Sequence, residues 1–151
     1  MLIGGIAVAG MSCLAPTEIM VELHTDVPCS VVTTNQVGIA VSRPGDEDAS
    51  FAATGMQCDG DGGLGTIAIL PHDIDEAVGI RVVLGVNRLT SQCAAPDYDG
   101  CIVARRSLEF FPHTRLELPI ELQQSCVGTP CDESSTCVAA QQCTDAGATC
   151  D

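Results

Sequence analysis

Apolar and polar side chains alternate along most of this chain with a period of two. From Thr17 to Thr25, Ile19, Val21 and Leu23 alternate with Glu18, Glu22 and His24, so an extended segment there has one apolar and one wet face. The same alternation predicts strands at Val37, Ile39 and Val41, more weakly at Phe51 and Ala53, at Ile67 and Ile69, and along Val78, Ile80, Val82, Leu84 and Val86. It closes with Leu108 and Phe110, then with Leu116, Leu118, Ile120 and Leu122, between which Arg115, Glu117, Pro119 and Glu121 take the outward positions. Seven such segments between Thr17 and Leu122, parted by Gly, Pro, Asp and Asn clusters and lacking any 3.6-residue period, predict an all-β fold. The expected architecture is an immunoglobulin-like β-sandwich of about seven strands.

Local irregularities refine this expectation. Pro119 lacks an amide hydrogen, so its strand should lie at a sheet edge. Val103 and Leu108 have opposite parity, which predicts a bulge near Arg105 and Arg106. Phe111-Pro112-His113-Thr114 has the composition of a hairpin turn. After Leu122 the composition changes: residues 123–151 hold five of the ten cysteines and no basic residue. So short a segment cannot bury its own core and should depend on disulfides. The expected organisation is a lipoprotein-type signal peptide over 1–12, a sandwich over 13–122 and a cysteine-rich tail over 123–151.

Composition then removes whole chemistries. The chain has 151 residues, enough for one domain with an appendage, and a net charge of −14 from 20 acids and 6 basic residues. All six basic residues are arginines; with no lysine there is no phosphate-loop lysine and no Schiff base. An acidic chain with no tryptophan and one tyrosine, Tyr98, lacks the basic surface and stacking platforms that nucleic acid requires. The acids are also clustered. Between Arg43 and Glu76, eight (Asp46, Glu47, Asp48, Asp59, Asp61, Asp73, Asp75 and Glu76) face one arginine, and Asp132, Glu133, Asp145 and Asp151 follow in the tail.

The cysteines indicate the compartment. Cys13, Cys29, Cys58, Cys93, Cys101, Cys126, Cys131, Cys137, Cys143 and Cys150 contain no C-x-x-C knuckle, and no histidine lies in the C-terminal cluster. Disulfides in an oxidising compartment are therefore expected over structural zinc. Cys93 and Cys101 flank a short loop and form the first expected pair, Cys29 and Cys58 the second; Cys126, Cys131, Cys137 and Cys143 are the remaining candidates. Residues 1–11 are apolar and uncharged and run into Ser12 and Cys13. That segment is too short to span a membrane and reads as a processing signal. Its placement before Cys13 marks that thiol for lipidation, with a plain secretory signal as the alternative. Lipid on Cys13 leaves an odd number of cysteines: either Cys150 is the unpaired one, or Cys13 is paired and the anchor fails.

Two stretches invite a metal reading. Asp59-Gly60-Asp61-Gly62-Gly63 could wrap Ca2+, but Gly63 and Leu70 stand where further oxygen ligands are needed, and a glycine-rich hairpin turn accounts for the same residues. His72-Asp73 with Asp75 and Glu76 is the one close mixture of imidazole and carboxylates, with His24 and His113 the other histidines; a solvated acidic loop is the competing reading. No G-x-S-x-G elbow exists, and the Arg105-Arg106 pair is expected to balance neighbouring acids rather than bind an anion. No enzymatic activity and no resident cofactor are expected.

The segments CLAPTEIMVELHTDVPC, GLGTIAILP and CIVARRSLEFFPHTRLELPIELQQSCVGTPCDESSTCV resemble a family of predicted lipoproteins of myxobacteria and related bacteria. The likeness covers most of residues 13–138, and its C-x-G-x-x-C tail pattern begins at Cys126 and Gly128 and ends at Cys131; Cys150 is a departure. The resemblance implies a lipoprotein signal, a β-rich domain and a short cysteine-rich tail, and it carries over no catalytic residue. The resulting expectation is an exported cell-envelope protein of the outer membrane, or a secreted one. It would hold the membrane through a lipid anchor only and act as a structural or protein-interaction module toward other envelope or extracellular proteins. The alternative is a calcium- or metal-binding surface domain.

Overall fold

The computed structural model describes residues 13–32, 36–55, 58–73 and 76–148. The chain forms β1 (Glu18–Thr25), β2 (Val37–Ser42), β3 (Ala53–Thr54), β4 (Gly63–Ile69), β5 (Val78–Gly85), β6 (Cys101–Leu108), β7 (Arg115–Leu122), β8 (Ser135–Ala139) and β9 (Gln142–Asp145). Two sheets, ordered β4-β1-β7 and β3-β2-β5-β6, make a β-sandwich, and β8 and β9 form a separate hairpin. The alternation explains the layering. Ile19, Val21, Leu23, Leu118, Ile120 and Leu122 from one sheet meet Val37, Ile39, Ile80, Val82, Leu84 and Ile102 from the other in a single core.

The seven strands and two layers are those of an immunoglobulin-sized sandwich, but the pairing is different. Immunoglobulin constant domains group their strands as ABED and CFG. Here the first and last sandwich strands, β1 and β7, lie parallel through eight residue pairs from Glu18↔Arg115 to Thr25↔Leu122. Pro119 sits on β7, an edge of its sheet, where a missing amide hydrogen leaves the ladder intact.

Three local expectations are corrected. No bulge interrupts β6, whose pairing with β5 is continuous from Val78↔Leu108 to Gly85↔Cys101. Val103 and Leu108 are both buried because this sheet is covered on both faces: Leu108 points into the sandwich, while Val103 joins Val83, Tyr98 and Cys101 in a second cluster against Phe51. A strand buried on both sides has no parity to break. The irregularity falls instead in the β1–β4 pairing, between Leu23 and His24. Phe111 to Thr114 does turn, with the Thr114 N–H donating to the Phe111 carbonyl at 3.2 Å. It joins β6 to β7 across the two sheets, so it is not a hairpin. The Asp59–Gly63 loop likewise links β3 in one sheet to β4 in the other.

The tail is stapled and docked. Cys126–Cys137 and Cys131–Cys143 bridge it, and Cys29–Cys58 and Cys93–Cys101 bridge the sandwich. Cys126 is 2% exposed and belongs to the sandwich core. The outer edge of β6 is then capped by the tail: Ser107 N–H donates to the Ala146 carbonyl, Ala148 N–H to the Ser107 carbonyl, and Gly128 N–H to the Cys101 carbonyl, at 2.8, 2.8 and 3.0 Å. An edge that would otherwise expose unpaired backbone is thereby closed. Four bridges in one small module are those of a chain that folds in an oxidising, extracellular or envelope environment. Among the described residues no helix is long and apolar enough to cross a membrane.

Candidate functional site

Arg81 is the one charged residue in the otherwise apolar strand β5, and its partner across the ladder is Arg105. Two arginines side by side on an outer sheet face repel unless an anion neutralises them. Glu47, from the bend after β2, supplies it. Its Oε1 accepts from Arg105 Nε at 2.6 Å and its Oε2 from Arg105 Nη2 at 3.0 Å, a bidentate pair. Oε2 also accepts from the Tyr98 hydroxyl at 2.6 Å and Arg81 Nη1 at 3.4 Å. Arg81 Nη1 further donates to the Glu47 carbonyl and Nη2 to the Ala49 carbonyl, so the bend is tied to the sheet by main chain as well.

Aromatic rings complete this layer. The Arg81 guanidinium lies 5.8 Å from the Phe51 ring centre and that of Arg105 5.7 Å from the Tyr98 ring centre. Phe51 has room because position 38 is glycine: a Cβ there would stand 2.8 Å from the ring. Burial works against a charge on Glu47. The Arg105 and Tyr98 hydrogen bonds and the charges of Arg105 and Arg81 outweigh it and hold the carboxyl down at about 2. Burial and the Glu47 hydrogen bond push the Tyr98 phenol up.

Beside this cluster lies a cavity of about 300 Å³, walled by the Arg43–Glu47 bend, by β5 and β6 at Arg81 and Arg106, and by the tail at Glu133 and Asp145. The tail contributes structurally as well: Arg105 N–H donates to the Thr136 hydroxyl at 3.0 Å and Arg105 Nη1 to the Ser135 carbonyl at 3.3 Å. Docking of the hairpin therefore builds one wall of the cavity.

The residues singled out by sequence are distributed differently. Asp59 Oδ1 accepts the amide hydrogens of Asp61 and Gly63, both at 2.9 Å, and those backbone hydrogen bonds, with a smaller effect of His24, hold its carboxyl below the usual range. That oxygen is thus engaged by its own turn. Gly62 in that turn has φ +86°, and a Cβ there would stand 2.3 Å from the Thr25 carbonyl oxygen, so glycine is required. His72 and Asp73 line a second cavity, of about 330 Å³, with Glu76, Arg43 and Phe110, while Asp75 lies outside the described residues. Asp59 and Asp61 precede β4 and His72 follows it. A strand of that length separates its ends by about 20 Å, so the two acidic stretches do not meet at one ion. Among the described residues no group of three or more His, Cys, Asp or Glu is arranged to hold a metal.

Cys13 is exposed and is the one thiol outside a bridge among the described residues; residues 1–12 and Cys150 lie beyond them. The expectation for Arg105 and Arg106 splits. Arg105 does balance an acid, but one 58 positions away, and Arg106 has no carboxylate partner among the described residues. The signal available in the sequence was Arg81 itself, a lone charge in a buried strand that needs a counter-ion. Comparison with protein-family models, with curated proteins and with solved structures finds no match.

Proposed function

We propose that this is an exported, non-enzymatic protein, anchored in the cell envelope through lipid on Cys13, whose sandwich serves as a structural or protein-interaction module. The observation that carries the reading is the division of the cysteines. Eight are bridged in the sandwich and tail, whereas Cys13, five residues before β1, is exposed and outside any bridge among the described residues. A thiol that receives lipid must stand apart from the disulfide framework and ahead of the folded domain. An interaction role is supported by β4, a sheet edge whose residues Gly63–Ile69 carry no charge and so leave a strand open to pairing. By contrast, β7 carries Pro119 and β6 is capped by the tail.

Mass spectrometry of the protein from the membrane fraction tests the anchor. Acyl mass on an N-terminal Cys13 is expected, and Cys13→Ser should move the protein to the soluble fraction. A disulfide between Cys13 and Cys150 in non-reducing peptide maps, or a free α-amino group at another residue, overturns it.

A further inference from the structure

Four of the six arginines, Arg43, Arg81, Arg105 and Arg106, line the cavity between the bend, β6 and the tail. Three have carboxylate partners: Arg81 and Arg105 share Glu47, and Arg43 reaches Glu76 at 3.7 Å. Arg106 has none among the described residues, yet its side chain is held in place. Its Nη1 donates to the Arg105 carbonyl at 2.7 Å and to the Thr136 hydroxyl at 3.3 Å, leaving Nε and Nη2 without a protein partner among the described residues. Burial pushes its pKa below the usual arginine range, as befits a partly desolvated cation outside any ion pair among the described residues.

The free edge of that guanidinium defines a ligand. Nε–H and Nη2–H project side by side in one plane and match the two oxygens of a carboxylate. The cavity also limits the charge it accepts, because Asp46, Glu133 and Asp145 line it beside the paired Glu47, and Asp145 is held by the Gly147 N–H at 2.6 Å. Three carboxylates beyond the paired Glu47, near one free guanidinium, disfavour a dianion and tolerate a single carboxylate. A volume of about 300 Å³ is at the small end of ligand sites and suits a small molecule. We infer that this cavity binds a small organic monocarboxylate, clasped by Nε and Nη2 of Arg106. The inference is independent of whether Cys13 carries lipid.

NMR of the full disulfide-bonded chain with 15N-labelled arginine resolves this directly. Propionate is the probe, with uncharged propionamide and inorganic phosphate as comparisons. Propionate should shift one arginine Nε–H signal saturably, propionamide should leave it unmoved, and phosphate should bind at least about tenfold more weakly. The responsive signal should vanish in Arg106→Gln. Arg106→Lys, which keeps the charge and loses the fork, should weaken propionate about tenfold. No saturable shift, an equal response to propionamide, phosphate binding as tight as propionate, or a response that persists in Arg106→Gln overturns the assignment. Should Arg106→Gln fail to fold, unchanged propionate affinity in Arg106→Lys does so.

Discussion

Arg81 and Arg105 face each other on adjacent antiparallel strands, and Glu47 lies against both with its side chain 21% exposed. Its charge is thus needed by the fold, and the consequence is a pH dependence of definite sign. The folded carboxyl titrates at about 2 in place of the usual 4.5, so its contribution is complete above pH 4.5 and is lost as pH falls through 2. Unscreened, a shift of that size amounts to about 3 kcal/mol; solvent at a partly exposed carboxylate reduces it to about 1–2 kcal/mol. Glu47→Gln, which keeps the shape and removes the charge, should therefore lower stability at pH 7 by about 2 kcal/mol. Urea denaturation from pH 7 to pH 2 should show the two proteins converging at the acid end. A constant difference across that range would assign the effect to packing instead of charge.

At the scale of elements, β6 joins the parts of this molecule. Its inner residues Ile102 and Ala104 fill the sandwich core, its outer residues Val103 and Arg105 carry the covering layer, and its edge at Ser107 carries the tail. Strands with one wet face were legible from alternation: β1 and β7 follow it almost residue by residue. Glu18 is the exception, buried at 8% because Arg115 pairs with it at 2.6 Å across the parallel ladder. β6 does not show this alternation because both its faces are covered, and no local pattern announces a lid that comes from Phe51 and Tyr98. The Glu47 cluster was hidden for the same reason, since its members are 34 and 58 residues from their partner and meet only when the bend folds over the sheet. Cys126–Cys137 links the short turn at Gln124–Cys126, whose last residue is seated in the core, to β8, and so holds the cap on β6. Replacing both cysteines by alanine should cost about 2–4 kcal/mol. It should also free the β6 edge, so faster amide exchange at Ser107 and concentration-dependent light scattering are expected together. Loss of stability with Ser107 still protected would mean that backbone pairing alone retains the tail.

Across the whole molecule, the net charge of −14 is unevenly compensated. Glu47 and Glu18 are neutralised at close range by arginines that are part of the fold. The other close ion pairs are looser: Arg43–Glu76 at 3.7 Å and Arg88–Asp99 at 3.8 Å, with the Asp99 side chain 91% exposed. Among the described residues, most of the remaining acids stand in loops and tail outside these ion pairs, and their mutual repulsion opposes the compact state. Screening acts on these two populations differently. Near neutral pH, raising salt from about 10 mM to 150 mM shortens the Debye length from about 30 Å to 8 Å, which removes repulsion between distant exposed acids and barely touches a partly buried bidentate pair. The melting temperature should therefore rise with sodium chloride, measured by calorimetry with the disulfides intact. A melting temperature that falls with salt would reverse this ordering and make attractive surface pairs the larger electrostatic contribution.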